Sequence, residues 1–484
     1  MIPNNFFLGG GAADTLMGPA GAALMLIAVA LIIALPRKYI LTPVLLAALL
    51  IPEGEVVVIG GFHLGPVRII ALFGLLRLAW LRYSSRVALF AGGLNPIDKA
   101  FLICAIAHSV AFILLWRQIA AVTNQMGLLL GGLGFYVLLR FLIRDEEDVY
   151  RVLKVLAIIA AINACGMIYE KLRIQNLFGL LIGGVDPVPL IREGKIRSQG
   201  AFGHAILAGT FGAMLLPLFV VLWTHARAKV LSAVGVTSSL VMVLTSASST
   251  PVMAILGVVV GICFWPLRRN MRLVRWLFAG TLILLHLVMK APVWFLIARV
   301  DVVGGSASYD RAHLIDVFIK HFFDWWLIGT HDIGNWGWSM WDLSNAYIFQ
   351  GESGGLIAFI FFIAIISRSF GRLGKARRLA KARKQEWLMW LFSASLFANV
   401  MAFFGVSYWD QTEVAWFALL AMISAITSAG LREEKQQMQV QPAVEPGLAA
   451  SSLTDWEQVQ GELQSGSKDS WVVRKHLSAS AGEN

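Results

Sequence analysis

The stretch HAILAGTFGAMLLPLFVVLW, residues 204–223, contains no Asp, Glu, Lys or Arg over 20 residues. An α-helix of this length rises about 30 Å and so crosses the hydrocarbon core of a bilayer. Comparable apolar runs recur from one end of the chain to the other, and a helix satisfies its backbone hydrogen bonds within its own segment. We therefore predict an all-α, polytopic integral membrane protein rather than a β-barrel.

The composition excludes a water-soluble enzyme. Of the 484 residues, 58% are hydrophobic and only 14% are charged, whereas soluble domains carry about 25% charged residues. The three cysteines lie within apolar runs, which excludes a disulfide framework and a thiolate metal cluster. We assign the net charge of +11 to basic loops beside a membrane rather than to nucleic-acid binding.

The apolar runs divide the chain into a membrane domain and a tail. Thirteen spans are predicted, at roughly 17–36, 39–59, 66–81, 98–116, 124–143, 152–170, 204–223, 230–246, 250–267, 276–297, 353–367, 387–406 and 414–430. Residues 1–430 thus form a transmembrane domain of about 12–13 helices. Residues 431–484 are poor in Leu, Ile, Val and Phe, a composition typical of disordered segments.

The basic residues predict the orientation of these spans. One alternating set of connections holds twenty-one Lys and Arg, and the opposite set holds ten. Because positive charge marks the cytoplasmic side, we expect the N-terminus outside and a disordered tail in the cytoplasm. Two long outer loops result, at about 171–203 and 298–352, and long loops are often functional.

The first outer loop carries three cations within six residues, on the side that is otherwise poor in cations. They are Arg192, Lys195 and Arg197. One interpretation is a solvated turn. The other is an anion site, since the planar guanidinium matches phosphate oxygens and the nearby Gly200 and Gly203 would let backbone N–H groups approach the same anion.

The second outer loop begins with a helical pattern from Ser308 to Trp326. Polar residues at spacings of three and four, from Asp310 through Asp316 to Asp324, form one stripe, which indicates an amphipathic helix at the membrane interface. Arg311 lies on the apolar face instead. It either extends its charged end towards water or points to a pocket for lipid phosphate, and both interpretations stay open.

Aromatic and acidic residues follow that helix. Trp336, Trp338 and Trp341 lie among Gly, Asn and Asp, where they either belong to an aromatic belt or stack on sugar rings. Asp342 and Glu352 are carboxylates at the mouth of a span, and such groups are functional candidates. Each could accept a proton from an attacking hydroxyl, with Asp342 the first choice, Glu352 the second and His204 the third.

Other cofactor chemistry is not expected. No Gly-rich loop ends in Gly-Lys-Ser or Gly-Lys-Thr, as a nucleotide site would require, and the His and Asp residues of the outer loops lack metal-ligand spacing. The sequence therefore predicts neither a bound metal nor a cofactor.

Several motifs together resemble a known family. In chain order they are Arg197-x-x-Gly200-x-Phe202-Gly203-His204, Ser246-Ala-Ser-Ser249-Thr250-Pro251, Arg311 in its helix, and Asp342-Leu-Ser-Asn345-x-Tyr347-x-x-x-Gly351-Glu352-x-Gly354-Gly355. Over roughly residues 20–430 the chain resembles the O-antigen ligase and polymerase superfamily of bacterial envelope glycan assembly.

This resemblance implies a metal-independent, inverting, GT-C-like glycosyltransferase at the periplasmic face of the inner membrane. Donor and acceptor would both be oligosaccharides on undecaprenyl pyrophosphate, the surroundings would be membrane lipid, and a chain-length co-polymerase is a further expected partner. Two sets of residues are implied: Arg197, Arg311, Lys195 and Arg192 for the pyrophosphate, and Trp336, Trp338, Trp341, Asn345 and Tyr347 for the sugars.

The motif before the span predicted at 353–367 distinguishes two branches of the superfamily. Ligases usually carry a His just before the Asn that matches Asn345, and here that position is Ser344. The sequence therefore looks more like an exopolysaccharide or O-antigen polymerase. The alternatives are a ligase that transfers glycan to a lipid or protein acceptor, a transporter or flippase of lipid-linked glycans, and a structural membrane subunit.

Overall fold

The computed structural model describes residues 14–85, 88–299, 308–337, 340, 343–409 and 411–440. Within these ranges the chain forms seventeen α-helices, and its β-structure consists of two short hairpins and one isolated bridge. The predicted all-α fold is confirmed at this level. The chain divides into two units, Met1–Leu431 and Arg432–Asn484. In the second unit the backbone is helical to Val440, and the predicted disordered tail from 441 onward lies outside the described residues.

The first nine helices and both hairpins occupy residues 19–224. The helices are α1 (Pro19–Ala34), α2 (Arg37–Leu50), α3 (Pro66–Ser85), α4 (Pro96–Trp116), α5 (Ile119–Leu129), α6 (Phe135–Leu142), α7 (Glu146–Arg173), α8 (Leu177–Leu181) and α9 (Ala205–Thr224). The antiparallel hairpins are β1 (Val57–Ile59) with β2 (Phe62–Leu64), and β3 (Leu190–Arg192) with β4 (Lys195–Arg197). A π-helical turn over Leu130–Gly134 joins α5 to α6.

The remaining helices run from residue 229 onward. They are α10 (Lys229–Thr245), α11 (Ser249–Cys263), α12 (Met271–Val288), α13 (Ser308–Lys320), α14 (Phe322–Trp325), α15 (Ala346–Leu379), α16 (Arg383–Ala402) and α17 (Gln411–Val440).

Seven helical segments of the described chain are long and apolar enough to cross a membrane. They are Pro96–Trp116, Ile119–Leu142, Glu146–Arg173, Ala205–Thr224, Met271–Val288, Ala346–Leu379 and Gln411–Ser428. Three shorter apolar helices accompany them, at Pro19–Ala34, Lys229–Thr245 and Ser249–Cys263.

Each of the thirteen predicted spans overlaps a helix, but the second one is too long. We predicted 39–59, whereas α2 ends at Leu50 and residues 57–64 form the β1–β2 hairpin. Pro52 and Gly54 follow the end of the helix directly, and the hairpin turn is made by Gly60 and Gly61 at positive φ. Two turn-forming glycines between apolar residues favour a hairpin over a continued helix.

The amphipathic helix of the second outer loop is also shorter than its pattern indicated. Helix α13 ends at Lys320, and the separate α14 follows. Asp316, predicted on a solvated stripe, is buried, and its carboxylate accepts from Trp294 Nε1 at 3.2 Å and pairs with Lys320 at 2.7 Å. The stripe is thus covered in part by the residues before the helix.

The core is built around α9, which is almost entirely buried. Helices α10, α11 and α16 pack against it, and α7 packs against α10 and α2. A second apolar cluster joins α13 and α14 to the start of α15 through Phe318, Trp325 and Ile348. The N-terminal ends of α9 and α11 and the segments before them are therefore held by buried helices.

Helix α15 is broken one third of the way along. Gly355 has φ 67° and ψ −173°, which is not helical. The backbone groups freed by the break are paired with the segment after α14, because Thr330 N donates to Glu352 O at 2.7 Å and Leu356 N donates to Trp326 O at 2.8 Å. Broken helices of this kind occur where backbone is buried in protein or lines a cavity.

A buried carboxyl anchors the start of α1 outside the helical segments. Glu55 is 2% exposed, and its Oε2 accepts from Gly18 N at 2.7 Å. Gly21 and Gly183 lie so close that a Cβ atom at either would be 2.3–2.4 Å from a Glu55 oxygen. Burial raises the pKa of Glu55, and the hydrogen bond from Gly18 opposes this only in part.

The raised pKa predicts the effect of Glu55→Gln on stability. The protonated carboxyl contributes stability that is complete below its ordinary pKa of 4.5 and is lost as the pH rises through the raised folded value. Gln keeps the acceptor for Gly18 and stays neutral. We expect Glu55→Gln to match the wild type near pH 4 and to unfold at a higher temperature at pH 7.

The measurement is thermal unfolding of the purified protein in detergent across this pH range. Glu193→Gln, at a carboxylate that is half exposed, is the control and should show no such pH-dependent gain. A Glu55→Gln variant that is less stable than wild type at pH 7 would show that the charged carboxylate is favoured by the fold.

Candidate functional site

Arg197 is positioned by the β3–β4 hairpin. Its partner in the register is Leu190, and the hairpin turn consists of Glu193 and Gly194, both at positive φ. Arg192 and Lys195 face each other across that turn and are exposed, whereas Arg197, at the end of β4, is only 7% exposed. The three predicted cations of the first outer loop therefore differ in burial.

The backbone that follows Arg197 is held by α7. Gln199 N and Gly200 N both donate to Glu170 Oε2, at 3.0 and 2.9 Å, and Asn176 Nδ2 donates to Gly200 O at 2.8 Å. Gly200 has φ 62°, and a Cβ atom there would lie 3.0 Å from Asn163 Oδ1. A glycine is thus required at this position by both conformation and space.

Three further hydrogen bonds hold the segment Ser198–Ala201. Together with the three bonds above, we call them the clamp. Ser198 N donates to Thr245 O at 3.2 Å, Ala201 N donates to Asn163 Oδ1 at 3.2 Å, and Gln411 Nε2 donates to Ala201 O at 2.7 Å. These bonds come from α7, α10 and α17. The segment Ser198–Ala201 is therefore fixed from three helices although it has no regular secondary structure of its own.

Two arginines from the two loops predicted to lie outside meet at the turn between α10 and α11. Arg197 Nη2 donates to Ser248 Oγ at 2.8 Å. Arg311 on α13 reaches the same turn, where Nη1 lies 3.4 Å from Ser249 Oγ and Nη2 lies 3.2 Å from Thr250 Oγ1. We call these five residues the arginine-pair site. The structure thus brings together Arg197 and Arg311, which are far apart in sequence.

The electrostatics of this site favour an anion. Burial lowers the pKa of Arg197, and the positive charges of Arg192 and Arg311 lower it further. Arginine nevertheless stays charged in proteins, so the site holds a buried positive charge beside two further cations, and a bound anion would offset both the burial and the repulsion. Arg197 Nε is buried and has no hydrogen-bond partner among the described residues. The N-terminal end of α11, which carries partial positive charge, lies at the same place.

The arginine-pair site is connected to the start of α15 through the segment Phe403–Trp409. Thr250 Oγ1 donates to Gly405 O at 3.3 Å, and Ala346 N donates to Phe403 O at 2.9 Å. Of the two acidic candidates, Asp342 precedes Ala346 in the chain and Glu352 follows it. The start of α15 is therefore joined to the arginine-pair site through this segment as well as through its packing against α13 and α14.

The three candidate bases have different positions. Glu352 lies in the first part of the broken α15, is partly buried, and forms no ion pair among the described residues. His204 is the N-cap of α9, where Nδ1 accepts from Ile206 N at 3.2 Å. A neutral His204 in this arrangement carries its proton on Nε2, which makes it a donor rather than a base. Asp342 lies outside the described residues.

Three of the predicted sugar-binding residues lie in the described part of the chain, and each has a structural contact. Asn345 is the N-cap of α15, and its Oδ1 accepts from Tyr347 N and Ile348 N. Tyr347 donates its hydroxyl proton to Val400 O at 3.1 Å, and Trp336 stacks on His321 with ring centroids 4.6 Å apart. These three are engaged in capping and packing, and Trp338 and Trp341 lie outside the described residues.

Three residues that hold the site in place were not predicted from the sequence. Asn163, Glu170 and Asn176 are fully buried, and the first two lie within the span predicted at 152–170. A carboxylate and an amide in an apolar run are costly unless they are paired. These buried polar residues could be recognised in the sequence, but the sequence does not show which groups they bind.

Comparison with known protein families finds no matching family model, and comparison with curated proteins finds no match. The functional assignment therefore depends on the residues of the site.

The clamp predicts a specific loss of stability. Glu170→Ala leaves two buried backbone N–H groups, those of Gln199 and Gly200, without their acceptor, and each such group costs about 1–3 kcal/mol. We expect Glu170→Ala to unfold at a clearly lower temperature in detergent. Glu147→Ala, on the same helix but 79% exposed and paired only with Arg151, should change stability by less than about 0.5 kcal/mol. Equal effects of the two substitutions would exclude the clamp as a stabilising contact.

Proposed function

We propose that this chain is a polytopic membrane glycosyltransferase that polymerises oligosaccharide repeats carried on undecaprenyl pyrophosphate, at the periplasmic face of the bacterial inner membrane. The observation that carries this proposal is the arginine-pair site. Two guanidinium groups from separate loops, next to a helix N-terminus, suit an anion with several oxygens, and pyrophosphate is such an anion.

The arrangement of the helices supports an outward-facing site. Helices α9 and α11 begin at the arginine-pair site, and their other ends lead into basic turns. There Arg268 pairs with Glu386 at 3.1 Å, and His225 Nε2 lies 2.8 Å from Lys384 O. If the basic turns lie on the cytoplasmic side, the rise of about 30 Å along the 20-residue α9 supports a position of the arginines at the opposite membrane surface.

The chemistry needs stabilisation of a leaving group and removal of one proton. An acceptor hydroxyl oxygen attacks C1 of the donor sugar, the bond from C1 to the pyrophosphate oxygen breaks, and the hydroxyl proton passes to a base. Negative charge develops on the departing undecaprenyl pyrophosphate, where Arg197 and Arg311 would bind it. Preorganised donors of this kind each lower the activation barrier by roughly 2.7–4 kcal/mol.

For the base we propose Asp342 first and Glu352 second. Asp342 precedes α15 in the sequence and Glu352 lies in its first part, and this helix is connected to the arginine-pair site through Phe403–Trp409. The capping role of His204 makes it the least suitable of the three. A base increases the nucleophilicity of a sugar hydroxyl, typically by 10²–10⁴-fold.

A transporter or flippase of lipid-linked glycans is the second candidate. It is favoured by the break in α15 at Gly355 and by the π-helical turn before α6, since discontinuous helices are common at transport sites. A transporter defect would leave lipid-linked repeats on the cytoplasmic leaflet, whereas a polymerase defect would leave them on the periplasmic leaflet. A ligase would instead leave completed polymer on its lipid carrier.

The arginine pair predicts the outcome of charge removal. We expect Arg197→Gln and Arg311→Gln each to lower polymerisation by about 10²–10³-fold and to let single lipid-linked repeats accumulate. Arg→Lys should remain impaired at both positions because an ammonium does not reproduce a bidentate fork. The measurements are polymer length by gel analysis and the initial rate with purified lipid-linked repeats.

The matched control is Lys320→Ala on α13, the helix that also carries Arg311. Lys320 is 69% exposed, so its loss should change the rate by less than twofold. Arg197→Gln also removes buried like-charge repulsion, so the variant should be no less stable than wild type. An Arg311→Gln variant with the activity of Lys320→Ala would exclude Arg311 from the phosphate site.

The assignment of the base is tested by Asp342→Asn and Glu352→Gln. Each change removes a proton acceptor but keeps the size of the side chain, so binding of the lipid-linked donor should persist. We expect Asp342→Asn to lower kcat by about 10²-fold or more and to abolish the acidic limb of the pH–rate profile. A full effect at Glu352→Gln with none at Asp342→Asn would assign the base to Glu352.

A further inference from the structure

A cavity of about 290 Å³ lies apart from the arginine-pair site. Its walls come from α3, α4, α5, the π-helical turn, α15, α17 and the segment Phe403–Trp409. The polar side chains around it include Arg68, His108, Gln125 and Gln350. Its volume is close to the lower end of the range of ligand pockets, roughly 300–1,000 Å³.

Gln125 on α5 is the most informative residue of this cavity. It is only 1% exposed, and neither its Nε2 nor its Oε1 has a hydrogen-bond partner among the described residues. A buried polar group without a partner costs about 1–3 kcal/mol, and native structures contain few of them. An amide that lines a cavity with both atoms unpaired therefore points to a ligand that supplies both a donor and an acceptor.

The backbone beside Gln125 is shaped to leave room for Arg68. The π-helical turn over Leu130–Gly134 interrupts the run from α5 to α6, and such turns often occur at functional sites. Cβ atoms at Gly127 and Gly131 would lie 3.2 and 3.4 Å from Arg68 Nη1 and Cγ. Arg68 Nη1 in turn donates to His63 O at 2.6 Å, so the guanidinium is oriented along the cavity wall.

The other walls offer aromatic surface. Phe101 and Phe417 meet edge to face with ring centroids 5.3 Å apart, and Trp409, which also lines the cavity, is 58% exposed. Gln350 is hydrogen-bonded to His108, so each of these two side chains has a partner, whereas the amide of Gln125 has none among the described residues. Aromatic walls with a few polar groups suit a ring that has an apolar face and hydroxyl edges.

The cavity and the arginine-pair site share the segment Phe403–Trp409. Gly405 O accepts the bond from Thr250 of the arginine-pair site, while Ser407, Tyr408 and Trp409 line the cavity. A glycan whose pyrophosphate occupied the first site would meet this segment before it reached the second.

We propose that this cavity binds a saccharide unit of the glycan, with the Gln125 amide accepting from one sugar hydroxyl and donating to another. Three occupants can be distinguished by hydrogen bonding. A phosphate only accepts and would leave Oε1 unpaired, and an alkyl chain would leave both amide atoms unpaired. A sugar hydroxyl both donates and accepts. The identity of the glycan rests on the function proposed above, whereas the binding of a sugar does not.

The experiment uses the purified full-length protein in detergent and two probes. The first is the mixture of free oligosaccharides released by mild acid from the envelope glycans of the source cells. The second is inorganic pyrophosphate. Thermal unfolding is recorded with each probe for the wild type, Gln125→Met and Thr123→Val. Thr123 is the matched control, because it lies on α5 outside the cavity and its hydroxyl bonds Ile119 O of its own helix.

We expect the oligosaccharides to raise the unfolding temperature of the wild type and of Thr123→Val. In Gln125→Met this shift should disappear, with binding weakened at least about 10-fold, or about 1.4 kcal/mol. The ligand-free Gln125→Met protein should be as stable as wild type or more so, because Met fills the same space without two unpaired polar atoms. The pyrophosphate shift should persist in Gln125→Met and vanish in Arg197→Gln.

Two results would overturn the cavity proposal. One is an oligosaccharide shift that is absent from the wild type or unchanged in Gln125→Met. The other is a lower ligand-free stability of Gln125→Met, which would mean that ordered water or protein groups pair the amide. Loss of the pyrophosphate response alone, with the oligosaccharide response intact, would instead contradict the proposed polymerase and leave the sugar site standing.

Discussion

The hydrogen bonds from Gln199, Gly200 and Ala201 to Glu170 and Asn163 are the interaction on which the candidate site depends. These three backbone N–H groups form no hydrogen bond of a helix or a sheet, and they lie in surroundings from which water is largely excluded. Side chains of α7 supply the acceptors, which makes an irregular segment as fixed as the helices around it. Only a segment fixed in this way can hold Arg197 beside the like charge of Arg311, because a mobile loop would move the two guanidiniums apart.

The helices could be predicted from the sequence, whereas the contacts between distant segments could not. Long runs without charge have no stable alternative to a helix in an apolar environment, and the run at 204–223 agrees with α9 within one residue. The error at residues 39–59 arose where apolar residues continue past Pro52 and Gly54, since hydrophobicity alone does not distinguish a hairpin strand from the end of a span. The meeting of Arg197 with Arg311 depends on tertiary packing, and only the family resemblance suggested it.

Two residues that the sequence marked for chemistry also have a role in the backbone. Asn345 and His204 stand immediately before helices, and both accept hydrogen bonds from the first turn, as residues at an N-cap do. A polar residue between a loop and an apolar run has this structural role as its simplest explanation. In contrast, Arg311 on the apolar face of α13 had an equally simple explanation as a residue that reaches towards water, yet its guanidinium lies against Ser249 and Thr250. The position of a polar residue relative to a helix end therefore distinguishes a capping residue from a candidate binding residue better than its residue type does.

The described residues offer two chemically different surfaces for the substrate that we propose. The arginine-pair site is rich in positive charge and hydroxyl groups, whereas the cavity around Gln125 offers an amide and aromatic rings. Under the proposed function, each surface would bind one part of a lipid-linked glycan, the first its pyrophosphate and the second its sugars. Because Phe403–Trp409 contributes Gly405 to one and Trp409 to the other, a ligand that shifts this segment acts on both. The two surfaces are thus connected by seven consecutive residues, and coupling between them needs no longer path.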